Sequence, residues 1–183
     1  MAYFYADFDG AGATAPYDTW AKAAQDTPTA LGAMSAGDTL FVQGAATDTA
    51  ATLRTLTPAG TIDNPVKIIG VKDGTTNTGT IVAASDLVVR GTDTLPKIDS
   101  TGANDIKHDG GYASWHGIHF QAGDQFNAQN LTGKHTFTDC RFTTQSDILW
   151  TGEAMEWVWI NCEYEPLATN CDIRLTSGVM TVY

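Results

Sequence analysis

The sequence predicts an all-β fold in which successive strands stack along one axis as a parallel β-helix. Three stretches of the chain share one apolar pattern at a constant offset of 22 positions: ASWHGIHF (113–120), HTFTDCRF (135–142) and WVWINCEY (157–164). A repeat of this length places each unit on its neighbour, so like residues are expected to stack into ladders. The predicted ladders contain Trp115, Phe137 and Trp159, Ile118, Cys140 and Cys162, and Phe120, Phe142 and Tyr164.

Within each stretch, a single residue is predicted to turn the strand. The apolar residues before and after it have opposite parity, so a straight strand would direct half of them outward. The residue at this change of phase is Gly117, Asp139 and Asn161 in turn. These residue types enter the left-handed conformation most readily, so a one-residue corner keeps both halves inward. The alternative is three unrelated strands of an antiparallel sandwich, which would need the offset and the corner chemistry to coincide.

Residues 1–36 are predicted to form an N-terminal strand and capping helix, and residues 37–183 the β-helix, within one structural domain. The helix is expected over residues 18–25, with Asp18 as its N-cap and Trp20 on its apolar face. An amphipathic helix here would cover the apolar side chains and unpaired backbone at the end of the stack. From residue 40 onward, short β-rich runs alternate with turns of Gly, Thr, Asn and Asp.

Composition limits the classes of function. The chain has 183 residues, 43% of them hydrophobic, which is enough for one domain with a core. It contains no run of eighteen apolar residues and no basic start followed by an apolar segment, so neither a membrane span nor a signal peptide is expected. Its formal charge of −11 repels phosphate backbones and anionic membranes, which argues against both as partners.

Two parts of the sequence resemble the pectate-lyase-like superfamily of right-handed parallel β-helix proteins. The stretch DTWAKAAQ…TALGAMSAGDTLFVQG looks like the opening of many of its members, with a Trp-containing segment and a Gly-Asp-Thr corner before the first strand. TFTDCRF and VWINCEY are similar to its recurring corner followed by an inward Cys and an aromatic residue. The resemblance implies a right-handed helix and specifies fold rather than activity.

The short, acidic, Gly/Thr/Ala-rich chain with its MAYFYADFDG start resembles bacteriophage virion proteins such as decoration proteins, tail fibres and tailspikes. This resemblance implies a non-enzymatic structural protein of the virion, made in the host cytoplasm and acting by oligomeric assembly. It would be a capsid decoration or cement protein or part of a tail appendage. The expected partners are further copies of the chain in a trimer, the major capsid protein or another virion protein, and a host surface glycan.

Four aromatic residues are candidates for an interface: Trp150, Trp157, Tyr112 and Phe126. They are predicted to lie near loops or at strand ends, where rings can stack on a sugar face or a neighbouring subunit. Packing in the core is the alternative for each of them.

No catalytic cluster, metal site or cofactor is predicted. The alternative function is a carbohydrate-binding or polysaccharide-degrading protein of the tailspike kind, with Trp150 and Trp157 near Glu153, Glu156 or Glu163 around one groove. β-Helix glycosidases pair two carboxylates across such a groove. The sequence places no second acid beside Glu163 on the preceding repeat.

The outward column His119, Arg141 and Glu163 is predicted to be a surface charge ladder, worth at most about 1 kcal/mol. His116, His119 and His135 suggest a metal site, but their spacing lacks a zinc quartet, so exposed and ordinary histidines are expected.

The three cysteines are not predicted to be catalytic. Cys140 and Cys162 are expected one strand spacing apart, about 4.8 Å, as a buried reduced pair, with a disulfide bridge left open. Cys171 follows a turn-like stretch and is expected at the surface.

Overall fold

A computed structural model describes residues 1–10, 12–45, 47–75, 83–128, 133–150, 155–175 and 179–183. Most of the regular structure in these residues is β-strand, and the named strands pair in parallel within three sheets, here called A, B and C. This confirms the predicted all-β class and is compatible with a parallel β-helix. No helix in the described part of the chain is long and apolar enough to cross a membrane.

From β2 onward, successive strands belong to sheets A, B and C in turn. Each set of three consecutive strands, one from each sheet, is called a rung. Sheet A contains, in spatial order, β1 (Tyr3–Ala6), β2 (Thr39–Gln43), β5 (Val66–Val71), β8 (Ala113–His116), β11 (Gly133–Thr138), β14 (Met155–Ile160) and β17 (Val179–Val182). Sheet B contains β3 (Thr47–Ala50), β6 (Lys97–Ser100), β9 (His119–Ala122), β12 (Arg141–Thr144) and β15 (Glu163–Pro166). Sheet C contains β4 (Arg54–Leu56), β7 (Ile106–His108), β10 (Phe126–Ala128), β13 (Ile148–Trp150) and β16 (Ile173–Leu175).

In the strands that contain the three repeats, paired residues are 22 positions apart, as the sequence predicts. In sheet A, Phe137 lies opposite Trp115 on one side and Trp159 on the other. In sheet B, Phe142 lies opposite Phe120, and their rings stack with centroids 5.1 Å apart. The predicted ladders are therefore confirmed, and their rings fill the space that the three sheets enclose.

The predicted corners between sheets A and B are also confirmed. Gly117, Asp139 and Asn161 have φ values of 64°, 53° and 52°, in the left-handed region. At Gly117 a Cβ atom would lie 2.2 Å from the side chain of Val88, so glycine is required there for space as well as for conformation. One residue is thus enough to turn the chain from one sheet into the next.

The N-terminal helix begins later than the sequence analysis predicted. Residues 20–22 form only one 3-10 turn, and the α-helix α1 is Thr27–Ala33. Its N-cap is Asp26 rather than Asp18, since the Asp26 carboxylate accepts a hydrogen bond from the backbone N–H of Thr29 at 2.7 Å. The prediction was wrong because both Asp18 and Asp26 precede apolar stretches. Trp20 packs on its neighbours without being part of an α-helix.

The N-terminal segment closes the first end of the sheets. Strand β1 is itself the terminal strand of sheet A, and its outer edge is paired: Tyr5 donates to the carbonyl of Tyr17 at 3.0 Å and accepts from the N–H of Ala24 at 2.8 Å. The ring of Trp20 lies against Tyr5, with centroids 4.7 Å apart. Helix α1 packs on β1 and β4 and buries Leu31.

Large and small side chains alternate along the interior columns. In sheet A, Ala113 lies next to His135, and in sheet C, Ala128 lies next to Trp150. The alanines leave volume into which neighbouring large side chains extend. The rings of Trp150 and Trp157 stack there, with centroids 5.1 Å apart and an interplanar angle of 22°. This complementarity produces the close packing of a protein interior.

Candidate functional site

Three of the four aromatic residues predicted to form an interface lie in the core instead. Trp150, Trp157 and Phe126 are at most 1% exposed, so the expectation that they lie at a surface is wrong. Trp157 shares its strand face with the inward Trp159, and Phe126 and Trp150 follow the inward positions of sheet C. Only Tyr112 reaches the surface, half-buried at the edge of a groove outside sheet A.

This groove has a volume of about 480 Å³. Its floor consists of outward residues that lie in register on three neighbouring strands, namely Lys67 on β5, Ser114 on β8 and Thr136 on β11. Tyr112 and Ile62 also line it. The groove therefore combines apolar side chains with hydroxyl groups and charged groups, and its volume lies in the range of small-ligand sites.

The charges in the groove differ from those of the chain as a whole. Lys134 and Glu156, which also line the groove, neutralise each other in an ion pair of 2.9 Å. Lys67 has no carboxylate within ion-pairing distance in the described residues. An unpaired cation in a chain with a formal charge of −11 makes this groove locally attractive to an anionic or strongly polar group.

A second site lies outside sheet B, on the column predicted as a charge ladder. Arg141 lies in register between His119 and Glu163. Its guanidinium group contacts the carboxylates of Glu163, at 3.8 Å, and Glu165. Arg90, from the loop before β6, also reaches Glu163, at 3.3 Å. A cavity of about 380 Å³ is lined by the 91–95 loop together with Arg90, His119, Arg141 and Glu163. The strand register predicted the column of His119, Arg141 and Glu163. The contact of Arg90 with Glu163, 73 positions later, could not be predicted from the neighbouring sequence.

His119 is not the exposed, ordinary histidine that was expected. Burial, with the charges of Arg141 and Lys97 adding to it, lowers the pKa of His119 to about 4. Its Nε2 lies 3.0 Å from the hydroxyl oxygen of Thr143. At neutral pH the imidazole is therefore neutral, and the cations of this site are the arginines and the lysine.

The acidic residues considered for a polysaccharide-degrading site are not brought together. Glu156 lies outside sheet A beside Lys134, whereas Glu163 lies outside sheet B beside Arg90. Glu153 lies outside the described residues. Glu156 and Glu163 thus do not form the pair of carboxylates that flanks a scissile bond in glycosidases.

Asp7 and His116 each form a single contact that needs no ligand. Asp7 accepts a hydrogen bond from the backbone N–H of Asp9 at 3.2 Å, which makes an Asx turn. His116 is half-buried, 3.7 Å from the carboxylate of the corner residue Asp139. Within the described ranges, no group of three or more His, Cys, Asp and Glu side chains is placed to hold a metal ion.

A buried histidine pair was missed by the sequence analysis. His135, expected to be exposed, is fully buried, and its ring lies against His108, also fully buried, with centroids 4.3 Å apart. Trp115 donates its indole N–H to Nε2 of His108 at 3.2 Å. Burial lowers the pKa of His135 to about 4, and burial together with the neighbouring His135 lowers the pKa of His108 well below its ordinary value. The signal was present, because His135 has the same parity as the inward Phe137.

The cysteines are free thiols in the structure, as favoured by the sequence analysis. Burial raises the pKa of Cys140, whereas a hydrogen bond from Cys140 lowers the pKa of the half-buried Cys162. Cys171 is also half-buried, and its thiol lies 3.3 Å from the carbonyl oxygen of Ala168. Cys162 is therefore the more acidic member of the pair in the ladder.

No protein-family model matches the chain, and neither the curated proteins nor the solved structures include a match. Its function must therefore be inferred from its own residues and their arrangement.

Proposed function

We propose that the chain is a right-handed parallel β-helix, a solenoid of stacked coils, which acts by assembly rather than by catalysis. The continuous stack of rings inside the sheets is the observation that carries this proposal. Phe142 stacks between Phe120 and Trp159, with centroids 5.1 and 4.4 Å apart, and Phe137 stacks on Trp157 at 4.9 Å. Such an interior supports a rigid stack of sheets whose outer faces are available for packing. Right-handed crossovers between parallel strands are the strong general preference.

The same proposal makes the protein a structural component of a bacteriophage virion, either a capsid decoration or cement protein or part of a tail appendage. The resemblance of the short, acidic, Gly/Thr/Ala-rich chain with its MAYFYADFDG start to bacteriophage virion proteins supports this role. Its partners are then further copies of itself, with a trimer as the expected order, and the major capsid protein or another virion protein.

Analysis of purified particles tests the virion role directly. Antibodies raised against the recombinant chain should label intact particles at regular positions on the shell or on the tail in immunogold electron microscopy. Mass spectrometry of the same particles should detect the chain in many copies. Its absence from purified particles, with ready detection in the infected-cell extract, would overturn the virion role.

A second candidate function, glycan binding, is favoured by the groove outside sheet A. The ring of Tyr112 can cover the apolar face of a sugar, and Ser114, Thr136 and Lys67 can bind its polar groups. Titration with a panel of bacterial surface oligosaccharides, followed by calorimetry, tests it. Tyr112→Ala should abolish binding while the matched control Tyr183→Ala, at a ring that is 78% exposed elsewhere, should not. Equal loss in both variants, or no binding by the parent protein, would reject this function.

A further inference from the structure

The cavity outside sheet B lies on the side of the stack of rungs rather than at either end. His119 and Arg141 belong to β9 and β12, and each of these strands pairs with a neighbour on both sides. The cavity volume of about 380 Å³ lies in the range of small-ligand sites. The groove beside Tyr112 lies outside sheet A, so the two sites are on different faces of the protein.

The charges that line the cavity balance each other. Arg90 and Arg141 are its cations, and Asp93 and Glu163 are its anions. His119 adds no charge at neutral pH, because burial and the neighbouring cations lower its pKa to about 4. An anion that approaches the arginines also meets a carboxylate, and a cation that approaches the carboxylates also meets a guanidinium group. The lining therefore favours an uncharged ligand over an ion of either sign.

Hydrogen bonds within the protein hold these charged groups in place. Arg90 donates to the backbone and side-chain oxygens of Asn161, both at 2.9 Å, and to Glu163 at 3.3 Å. Asp93 accepts a hydrogen bond from the backbone N–H of Val89 at 2.8 Å. Donors and acceptors that are already fixed lose little conformational entropy when a ligand binds.

His119 supplies a further hydrogen-bonding atom to the cavity. Its Nε2 is engaged with the hydroxyl group of Thr143. Its Nδ1 has no hydrogen-bond partner among the described residues and, unlike the ring nitrogens of His135, is not enclosed by the protein. A neutral imidazole offers either a donor or an acceptor at such an atom. Leu95 adds an apolar contact to the same lining.

We propose that this cavity binds an uncharged sugar through neighbouring hydroxyl groups. Each hydroxyl can donate to a carboxylate of Asp93 or Glu163 and accept from an N–H of Arg141. Hydrogen bonds to ionised groups of this kind are roughly twice as strong as those between neutral groups. The C–H face of the sugar ring can lie against Leu95. The inference rests neither on the proposed role in assembly nor on glycan binding in the groove outside sheet A.

NMR titration of the isotope-labelled protein tests the proposal. The probes are glucose, galactose, mannose and N-acetylglucosamine, with glucuronate and glucosamine as their charged counterparts. At least one uncharged sugar should shift the backbone amides of residues 91–95, His119 and Arg141, and should bind about tenfold more tightly than either charged counterpart. No shift with any probe, or tighter binding of a charged counterpart, would overturn the proposal.

Substitutions then assign the bound sugar to this cavity. Asp93→Asn and His119→Gln keep polar side chains of similar size and should each weaken the affinity by about tenfold. The matched control is Asp109→Asn, which removes a carboxylate that pairs with Lys107 at 3.0 Å away from the cavity, and it should leave the affinity unchanged. Circular dichroism should show that all variants remain folded.

Two results of the substitutions would contradict the proposal. The first is an affinity that neither Asp93→Asn nor His119→Gln changes. The second is a loss of binding in Tyr112→Ala that the two cavity variants do not share, which would assign the sugar to the groove outside sheet A. Neither result bears on the presence of the chain in virions, so the virion role is tested separately.

Discussion

Acidification should destabilise the protein through its buried histidines. In the folded state the pKa of His135 is lowered from 6.5 to about 4, whereas the unfolded chain keeps the ordinary value. Between these two values the unfolded state binds a proton that the folded state excludes, so the free energy of unfolding falls as the pH falls. A pKa difference of about 2.5, at roughly 1.4 kcal/mol per pH unit, removes about 3 kcal/mol by pH 4. Well above pH 6.5, His135 is neutral in both states, so this loss of free energy of unfolding is absent.

Urea unfolding followed by tryptophan fluorescence at pH 7, 5.5 and 4.5 measures this loss, with His135→Phe as the non-titrating variant. His119 and the carboxyl groups titrate in both proteins, so the difference between the two pH profiles reports His135 together with the part of the His108 shift that His135 causes. His135→Leu repeats the test in case the phenyl ring does not fit. Parallel pH profiles for the parent protein and both variants would refute the assignment of a buried neutral imidazole.

Three other substitutions or treatments test the ladder, the corner and the thiols. Phe142→Ala should lower the free energy of unfolding by about 3–5 kcal/mol, because its ring stacks on two others, and a loss below about 1 kcal/mol in urea unfolding would contradict the stacking. Asp139→Gly should be nearly as stable as the parent while Asp139→Val loses at least about 1 kcal/mol by strain at positive φ; equal melting temperatures would place the corner elsewhere. A thiol reagent should modify Cys162 before Cys140, whose pKa is raised by burial, and the reverse order by peptide mass mapping would contradict this.

The repeat made the middle of the fold predictable from the sequence. Identical spacing at Trp115, Phe137 and Trp159 fixed the register, and the residue types at Gly117 and Asp139 marked the corners. These signals are local or strictly periodic, so a single sequence contains them. The position of α1 was not predictable in the same way, because two aspartates with similar surroundings competed as N-caps and tertiary contacts chose between them.

The candidate sites were predicted less well, for two physical reasons. Aromatic residues near loops satisfy an interface pattern and a core pattern equally, and the pairing of the small Ala128 with Trp150 in sheet C follows only from the register. The groove outside sheet A and the cavity outside sheet B also depend on loop residues such as Ile62 and Arg90. The 22-residue repeat does not predict where these loops pack against the sheets. Outward columns follow from the register, but the loops that enclose them do not.

The side chains of the last described rung are less buried than those of the inner rungs. In a stack of rungs each unit is stabilised by its neighbours, so an inner rung has two stabilising contacts and a terminal rung has one. The first end replaces the missing neighbour with α1 and the paired edge of β1, whereas the last rung leaves Val182 and Ile173 partly in contact with solvent. Among the described rungs, local opening is therefore expected to begin at β17.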